Sequence, residues 1–183
     1  MKTFFLFIKL YCLFALVFCG ISFSREYNLY KDSHIGFSAG KFGLLRVQGE
    51  FKRASGSLQL EGEIIKSLQG EVVIASIFTG DMKRDAHLLE KDFFDEEHFK
   101  TGYFIMKSYE PQKHTDDGVV GKVIGDLSLH GKKREVVLDS VLQVDSSKPK
   151  LILKGKINIK DFGIKGSMMN NNKVSINIQT IWE

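Results

Sequence analysis

The sequence predicts an all-β protein: an antiparallel barrel or sandwich with one short helical crossover. Apolar and polar residues alternate with a period of two in several segments, most clearly in Leu151–Lys160 and Lys173–Trp182. Such alternation is typical of a sheet with one dry face and one wet face. Glycine is plentiful, at 17 residues, and proline is scarce, at 2, which fits short strands joined by tight turns.

The predicted strands share this alternation or form short apolar runs. In chain order they are Ile35–Ala39, Leu45–Phe51, Ser57–Ile64, Glu71–Phe78, Tyr103–Ser108, Val119–His130, Val136–Val144, Leu151–Lys160 and Lys173–Trp182. Turn residues separate them, and Ser55-Gly56 and Gly70 are interpreted as two such turns. The strands and their brief connections predict a single domain over residues 25–183.

One stretch, Asp81–Phe99, breaks the alternation. Its apolar residues, such as Leu88, Phe93 and Phe94, have helix-like or irregular spacings. We therefore predict one or two short helices in a crossover connection, with Thr79 or Asp81 as the helix N-cap. The apolar side chains of this crossover would close an open end or edge of the sheet.

Residues 1–24 are predicted to be a signal peptide. The uncharged run Leu10–Phe18 is too short to span a membrane and has the length of a signal-peptide core. Cleavage after Ser24 would release an exported chain, periplasmic or extracellular, that starts at Arg25 and has no membrane span. The alternative is a membrane-anchored lipoprotein, because Leu16–Gly20 resembles a lipobox around Cys19.

Charge and cysteine content exclude several function classes. The chain has 26 Lys and Arg against 22 Asp and Glu, interleaved, so a nucleic-acid partner is not expected. Both cysteines, Cys12 and Cys19, precede the predicted domain, which excludes a disulfide framework and a cysteine-based site within it. The five histidines show no ligand spacing such as HExxH, so no metal and no cofactor are predicted.

A few polar residues are candidates for chemistry or for contact with a ligand's head group. Asp32 and His34 share one face of a strand, where a carboxylate can orient a general base. No nucleophile motif accompanies them, so a structural pair is the favoured interpretation. The cluster around Arg84 and Asp85 is interpreted mainly as a structural network. The candidate head-group contacts are Lys41, Arg46, Arg84 and His87.

Six motifs occur in order along the predicted domain. They are Asp32-Ser33-His34-Ile35-Gly36-Phe37; Gly49-Glu50-Phe51 with Ser55-Gly56; Thr79-Gly80 with Arg84-Asp85-Ala86-His87-Leu88; Asp92-Phe93-Phe94-Asp95; Gly125–Gly131; and Asp161-Phe162-Gly163. In this order they resemble the YceI-like family of bacterial exported proteins. The resemblance implies an extended, eight-stranded, lipocalin-like barrel with a helical crossover. It also implies a bound amphiphile, such as a polyisoprenoid or isoprenoid quinone.

The predicted function is a non-catalytic carrier that holds the apolar tail of such a lipid inside the barrel. The residues expected to contact the tail are Phe37, Val73, Ile77, Phe104, Val123, Leu127, Leu153, Ile157, Ile176 and Ile178. Lys41 stands where the family usually has a histidine, so the family's head group is not carried over. The alternatives are a structural or surface-interaction barrel without cargo and, third, an enzyme. The sequence leaves open whether the protein is a monomer or a homodimer.

Overall fold

The computed structural model describes residues 24–41, 45–144, 147–165 and 172–183. The predicted signal-peptide residues 1–23, Cys19 among them, lie outside this part of the chain, as does the Lys41 side chain. Within it, no helix is both long enough and apolar enough to cross a membrane.

The described chain forms one antiparallel sheet with a short helix, which confirms the predicted all-β class. The strands are β1 (Arg25–Asn28), β2 (His34–Lys41), β3 (Leu45–Phe51), β4 (Ala54–Glu61), β5 (Ile64–Val73), β6 (Ile77–Phe78), β7 (Thr101–Thr115), β8 (Gly118–Leu129), β9 (Lys132–Gln143), β10 (Lys150–Asn158) and β11 (Lys173–Ile181). The helix is α1 (Met82–Leu88), and two short 3-10 turns cover Ile74–Ser76 and Ile159–Phe162. The strand order across the sheet is β1-β4-β5-β7-β8-β9-β10-β11-β2-β3-β6.

The described residues form eleven strands, more than the eight implied by the family resemblance. Two of them are short edge segments, β1 with 4 residues and β6 with 2. The predicted strand Glu71–Phe78 divides, because the 3-10 turn Ile74–Ser76 separates the end of β5 from β6. The extra strands therefore extend the predicted architecture without changing its class.

The sheet curls so that strands far apart in its order meet. At one end, Asn28 and Glu183 exchange backbone hydrogen bonds of 2.7 and 2.9 Å, which tie the edge strand β1 to the end of β11. At the other edge, the Val73 amide donates to the Arg53 carbonyl (3.0 Å), which brings the end of β5 to the link between β3 and β4. The curled sheet thus encloses an interior.

Burial follows the predicted alternation on β10. Leu151 and Leu153 are buried on the inner face, whereas Lys154 and Lys156 are exposed on the outer face. The predicted turns at Ser55-Gly56 and Gly70 are wrong, because Gly56 and Gly70 pair with each other inside β4 and β5. The chain instead reverses near Gly62, whose φ of 59° lies in the left-handed region that favours glycine.

Two clusters of buried side chains lie in the interior. The first includes Leu58, Leu142 and Leu151, and the second includes Phe93 from the crossover and Phe162 from the 159–162 turn. The predicted crossover is confirmed, with α1 followed by turns up to residue 98. Asp81 is its N-cap, because its carboxylate accepts hydrogen bonds from the Lys83 and Arg84 amides at 3.0 and 3.2 Å.

Candidate functional site

An apolar cavity of about 190 Å³ lies inside the curled sheet. Its walls include Leu68 and Leu138 of the first buried cluster and Phe93 and Ile164 of the second, so the cavity lies between them. Strands and crossover both contribute to the walls. Cavities lined almost wholly by aliphatic and aromatic side chains accept apolar ligands and exclude water.

Most of the residues predicted to contact a lipid tail line this cavity. They are Phe37, Phe104, Leu127, Leu153, Ile157, Ile176 and Ile178. The cross-strand register brings four of them together in two pairs, because Leu153 pairs with Ile178 and Ile176 pairs with Phe37. Whether they touch a ligand stays a prediction.

The other three tail candidates lie elsewhere. Val123 is completely buried within the first cluster, and Ile77 packs in the second cluster opposite Phe51. On β5 the wall residue is Val72, not Val73. The segment is apolar at both positions, so the alternation does not show which of the two side chains faces inward.

Further lining residues were not among the tail candidates. Leu88, Phe93 and Phe94 reach the cavity from the crossover, and Leu29 reaches it from the end of β1. Trp182 also lines the cavity and is 2% exposed. The sequence could have indicated Trp182, because the alternation places it on the same face as Ile176 and Ile178.

Two glycines make room for aromatic rings in the cavity wall. The ring of Phe37 packs against Gly49, and the ring of Phe104 packs against Gly125. A Cβ on Gly125 would lie 2.6 Å from the Phe104 ring, closer than atoms in contact can approach. The absence of a side chain at these positions therefore allows the rings to pack closely against the neighbouring strands.

Thr180 is the most buried polar side chain in the cavity wall, and its hydroxyl is hydrogen-bonded within the protein. Its hydroxyl donates to the Leu151 carbonyl and accepts from Trp182 Nε1, both at 2.8 Å. Thr180 is therefore satisfied within the fold and gives the cavity little polar character. A wall that is almost wholly apolar suits a hydrocarbon ligand.

Of the candidate head-group residues whose side chains the structure describes, none lines the cavity. Arg46 lies in a separate groove on the outer face, together with Glu50 and Phe78. Arg84 and His87 belong to the crossover and its connection to β6, where each has a protein partner. Their assignment as head-group contacts stays a prediction.

Arg84 lies in a network that fixes α1 to the end of β6. Its guanidinium donates from Nε to the Thr79 hydroxyl (2.7 Å) and from Nη2 to the Thr79 carbonyl (2.8 Å). The Thr79 amide donates to the Asp85 carboxylate (2.9 Å), and the Thr79 hydroxyl donates to the same oxygen. The geometry fits the predicted structural role of Arg84 and Asp85.

We expect Arg84→Ala to lower the free energy of unfolding by about 1.5–3 kcal/mol, because it removes charge-assisted hydrogen bonds from partly buried Thr79. Lys83→Ala, at an exposed neighbouring position, is the matched control and should be nearly silent. Thermal and urea unfolding of the two variants measure the difference. Unchanged stability in Arg84→Ala combined with lost lipid retention would favour the head-group role instead.

His34 pairs with a different carboxylate from the one predicted. Its Nδ1 lies 3.0 Å from Glu50 on the neighbouring strand β3, rather than beside Asp32. Glu50 also accepts a hydrogen bond of 2.5 Å from the Lys52 ammonium. This hydrogen bond from Lys52, with a smaller contribution from His34, holds the pKa of the Glu50 carboxyl below its ordinary value against the opposing effect of burial.

Because the pKa of the Glu50 carboxyl is lower in the folded protein than in the unfolded chain, the ionised carboxylate stabilises the fold. We therefore expect Glu50→Gln to be less stable than the wild type at pH 7. The difference should shrink as the pH falls below about 4.5, the value for the unfolded chain, and vanish below the folded-state pKa. Melting temperatures of both proteins between pH 7 and pH 3 measure this; a difference that stays constant over that range would contradict it.

A family profile described as YceI-like domain matches residues 27–181, which include every strand from β2 to β11. The chain belongs to the YceI-like domain family. The family membership inferred from the six motifs is therefore confirmed.

Individual relatives of this YceI-like chain agree with the assignment. A UPF0312 protein of Pseudomonas fluorescens is 31% identical over 123 residues, which cover 66% of this chain and 59% of that protein. The crystal structure of a Campylobacter jejuni YCEI protein superposes with a TM-score of 0.68 at 28% identity, over 75% of this chain and 85% of that one.

A polyisoprenoid binding domain from Saccharophagus degradans has the same fold. It superposes with a TM-score of 0.66 at 16% identity, over 86% of this chain and 97% of that one. At this identity the superposition shows the shared fold alone. Together with the Campylobacter structure, it confirms that the YceI-like chain is a lipocalin-like all-β protein.

Proposed function

We propose that this protein is an exported, non-catalytic carrier for a long-chain amphiphile such as a polyisoprenoid or an isoprenoid quinone. The observation that carries the proposal is the apolar cavity between the two buried clusters. A lipid tail placed there gains about 0.8 kcal/mol for each CH₂ group removed from water. The fold shared with a polyisoprenoid binding domain supports this class of cargo.

The wall of the cavity favours a carrier over an enzyme. The polar candidates for catalysis, such as His34 and Arg84, are held by Glu50 and Thr79 and do not line the cavity. A substrate tail inside the cavity would therefore meet apolar side chains. This arrangement supports binding and release without bond chemistry.

The test of cargo uses mass spectrometry of lipid extracted from the purified protein. We expect a polyprenyl lipid or quinone to be recovered in near-stoichiometric amount. Trp182 is the sole tryptophan of the chain and lines the cavity, so it reports on the same event in solution. A short-chain ubiquinone added to lipid-free protein should quench its fluorescence saturably. Recovery of no lipid together with unchanged fluorescence would favour the alternative, a structural barrel without cargo.

We also propose that the chain is exported and cleaved after Ser24. The uncharged core Leu10–Phe18 and the small residues before Arg25 support this. Sequencing the N-terminus of protein recovered from the periplasm or medium should give Arg25 first. A chain that instead begins at an acylated Cys19 would establish the lipoprotein alternative.

A further inference from the structure

Three potential metal ligands meet where α1 ends and the chain turns. His87 Nε2 lies 3.3 Å from an Asp92 carboxylate oxygen and 3.7 Å from a Glu90 carboxylate oxygen. All three ligand atoms lie within 4.8 Å of one another. The five histidines show no ligand spacing such as HExxH, so the sequence predicts no metal site here.

These separations suit a shared ion. Zinc binds imidazole nitrogen and carboxylate oxygen at about 2.0–2.2 Å, so two such ligands in tetrahedral or octahedral geometry lie about 3.0–3.5 Å apart. The two distances from His87 Nε2 are at or close to that range. Glu90 is largely exposed, with 65% of its side chain accessible, so a small rotation completes the set.

The charges of the group also favour a dication. In the described part of the chain, no lysine or arginine forms an ion pair with Glu90 or Asp92, and both carboxylates face the same imidazole. The two carboxylates bring two negative charges to one imidazole. One divalent ion would balance both.

Core packing and a backbone hydrogen bond position two of the three ligands, His87 and Asp92. Phe93, which follows Asp92 in the chain, is 1% exposed, and its ring packs edge-on against the His87 imidazole at a centroid distance of 5.0 Å. The Asp92 carbonyl accepts from the Lys165 amide (3.1 Å), which ties the turn to the neighbouring segment. A site whose ligands are positioned by core packing loses little entropy when the ion binds.

We propose that His87, Glu90 and Asp92 bind one divalent transition-metal ion of the zinc type, with water in the remaining positions. One imidazole and two carboxylates form a mixed nitrogen and oxygen set, whereas magnesium and calcium prefer oxygen alone. The site lies on the outer side of the crossover. Its existence does not depend on the proposed lipid carriage.

The test is calorimetric titration of Zn²⁺ into untagged, chelator-treated protein produced from the full chain. We expect one equivalent to bind, and His87→Gln and Glu90→Gln each to raise the Kd about tenfold or more. Co²⁺ should give a visible absorption band that the same variants lose. Since Glu90 is exposed, Glu90→Gln should keep the melting temperature of the metal-free protein, so lost binding in that variant is not lost folding.

The matched control is His98→Gln, which removes another crossover histidine that pairs with a single carboxylate, Asp95, at 2.8 Å. It should leave the Zn²⁺ affinity unchanged. Absence of binding, equal affinity in all three variants, or loss of binding in His98→Gln would overturn the proposed site. Lipid recovery from the same preparations is scored separately, so failure of the metal site and failure of the carrier function are distinguishable.

Discussion

Leu153→Glu is expected to abolish lipid retention and to destabilise the protein by several kcal/mol. Leu153 lies on β10, is 5% exposed, and lines the cavity beside its cross-strand partner Ile178. A carboxylate at this position would be buried among apolar side chains without a partner, which is far more costly than losing the hydrophobic contact alone. Thermal unfolding and mass spectrometry of bound lipid measure the two effects.

The matched control changes the next residue, Lys154, whose side chain is exposed on the outer face. Lys154→Gln should leave both stability and bound lipid unchanged. Lys154→Glu is a poorer control, because it places a carboxylate opposite Asp139 on β9 and costs up to about 1 kcal/mol. A damaging Lys154→Gln with a tolerated Leu153→Glu would show that the strand faces are reversed, since a slip of one residue exchanges them.

The sequence predicts which residues of a strand point into the interior when the opposite face of that strand is polar and exposed to solvent. On β10 and β11, lysine, asparagine and glutamine mark the outer face, so inward residues such as Leu153 and Ile176 are identified without a structure. On β5 the apolar and polar alternation does not distinguish the inner face from the outer face. Val72 and Val73 are both apolar, and a register shift near Gln59 and Leu60 on the paired strand interrupts the regular pattern upstream.

Contacts between distant segments are harder to predict from sequence. His34 meets Glu50 because of the pairing of β2 with β3, in which Gly36 lies opposite Glu50. Sequence proximity favoured Asp32 instead, on the premise that both residues lie on one strand, but Asp32 lies in the turn before β2. The register depends on the whole hairpin, and no local pattern specifies it.

Glycine is an ambiguous signal in this chain. Gly62 marks a true reversal with a positive φ, whereas Gly70 lies within β5 and Gly125 accommodates the Phe104 ring. All three look alike in the sequence. The difference depends on what packs against each backbone, which is a property of the folded sheet.

Phe93→Ala is expected to be the most destabilising truncation in the crossover. Phe93 is 1% exposed, belongs to the second buried cluster and lines the cavity. Removing a fully buried phenylalanine ring typically costs about 3–5 kcal/mol, through lost contacts and the void that remains. In a domain of this size that corresponds to a fall in melting temperature of about 6–20 °C.

The control is Phe78→Ala on β6, because that ring is 48% exposed and does not line the cavity. Its free energy of unfolding should change by less than about 1 kcal/mol.

The pair also tests whether the crossover closes the lipid site: a ring that forms part of the wall should slow the escape of cargo. We therefore expect bound lipid to dissociate faster from Phe93→Ala, measured by its transfer to empty vesicles, while Phe78→Ala keeps the wild-type rate. Equal rates in all three proteins would mean that lipid leaves by a route that does not involve the crossover.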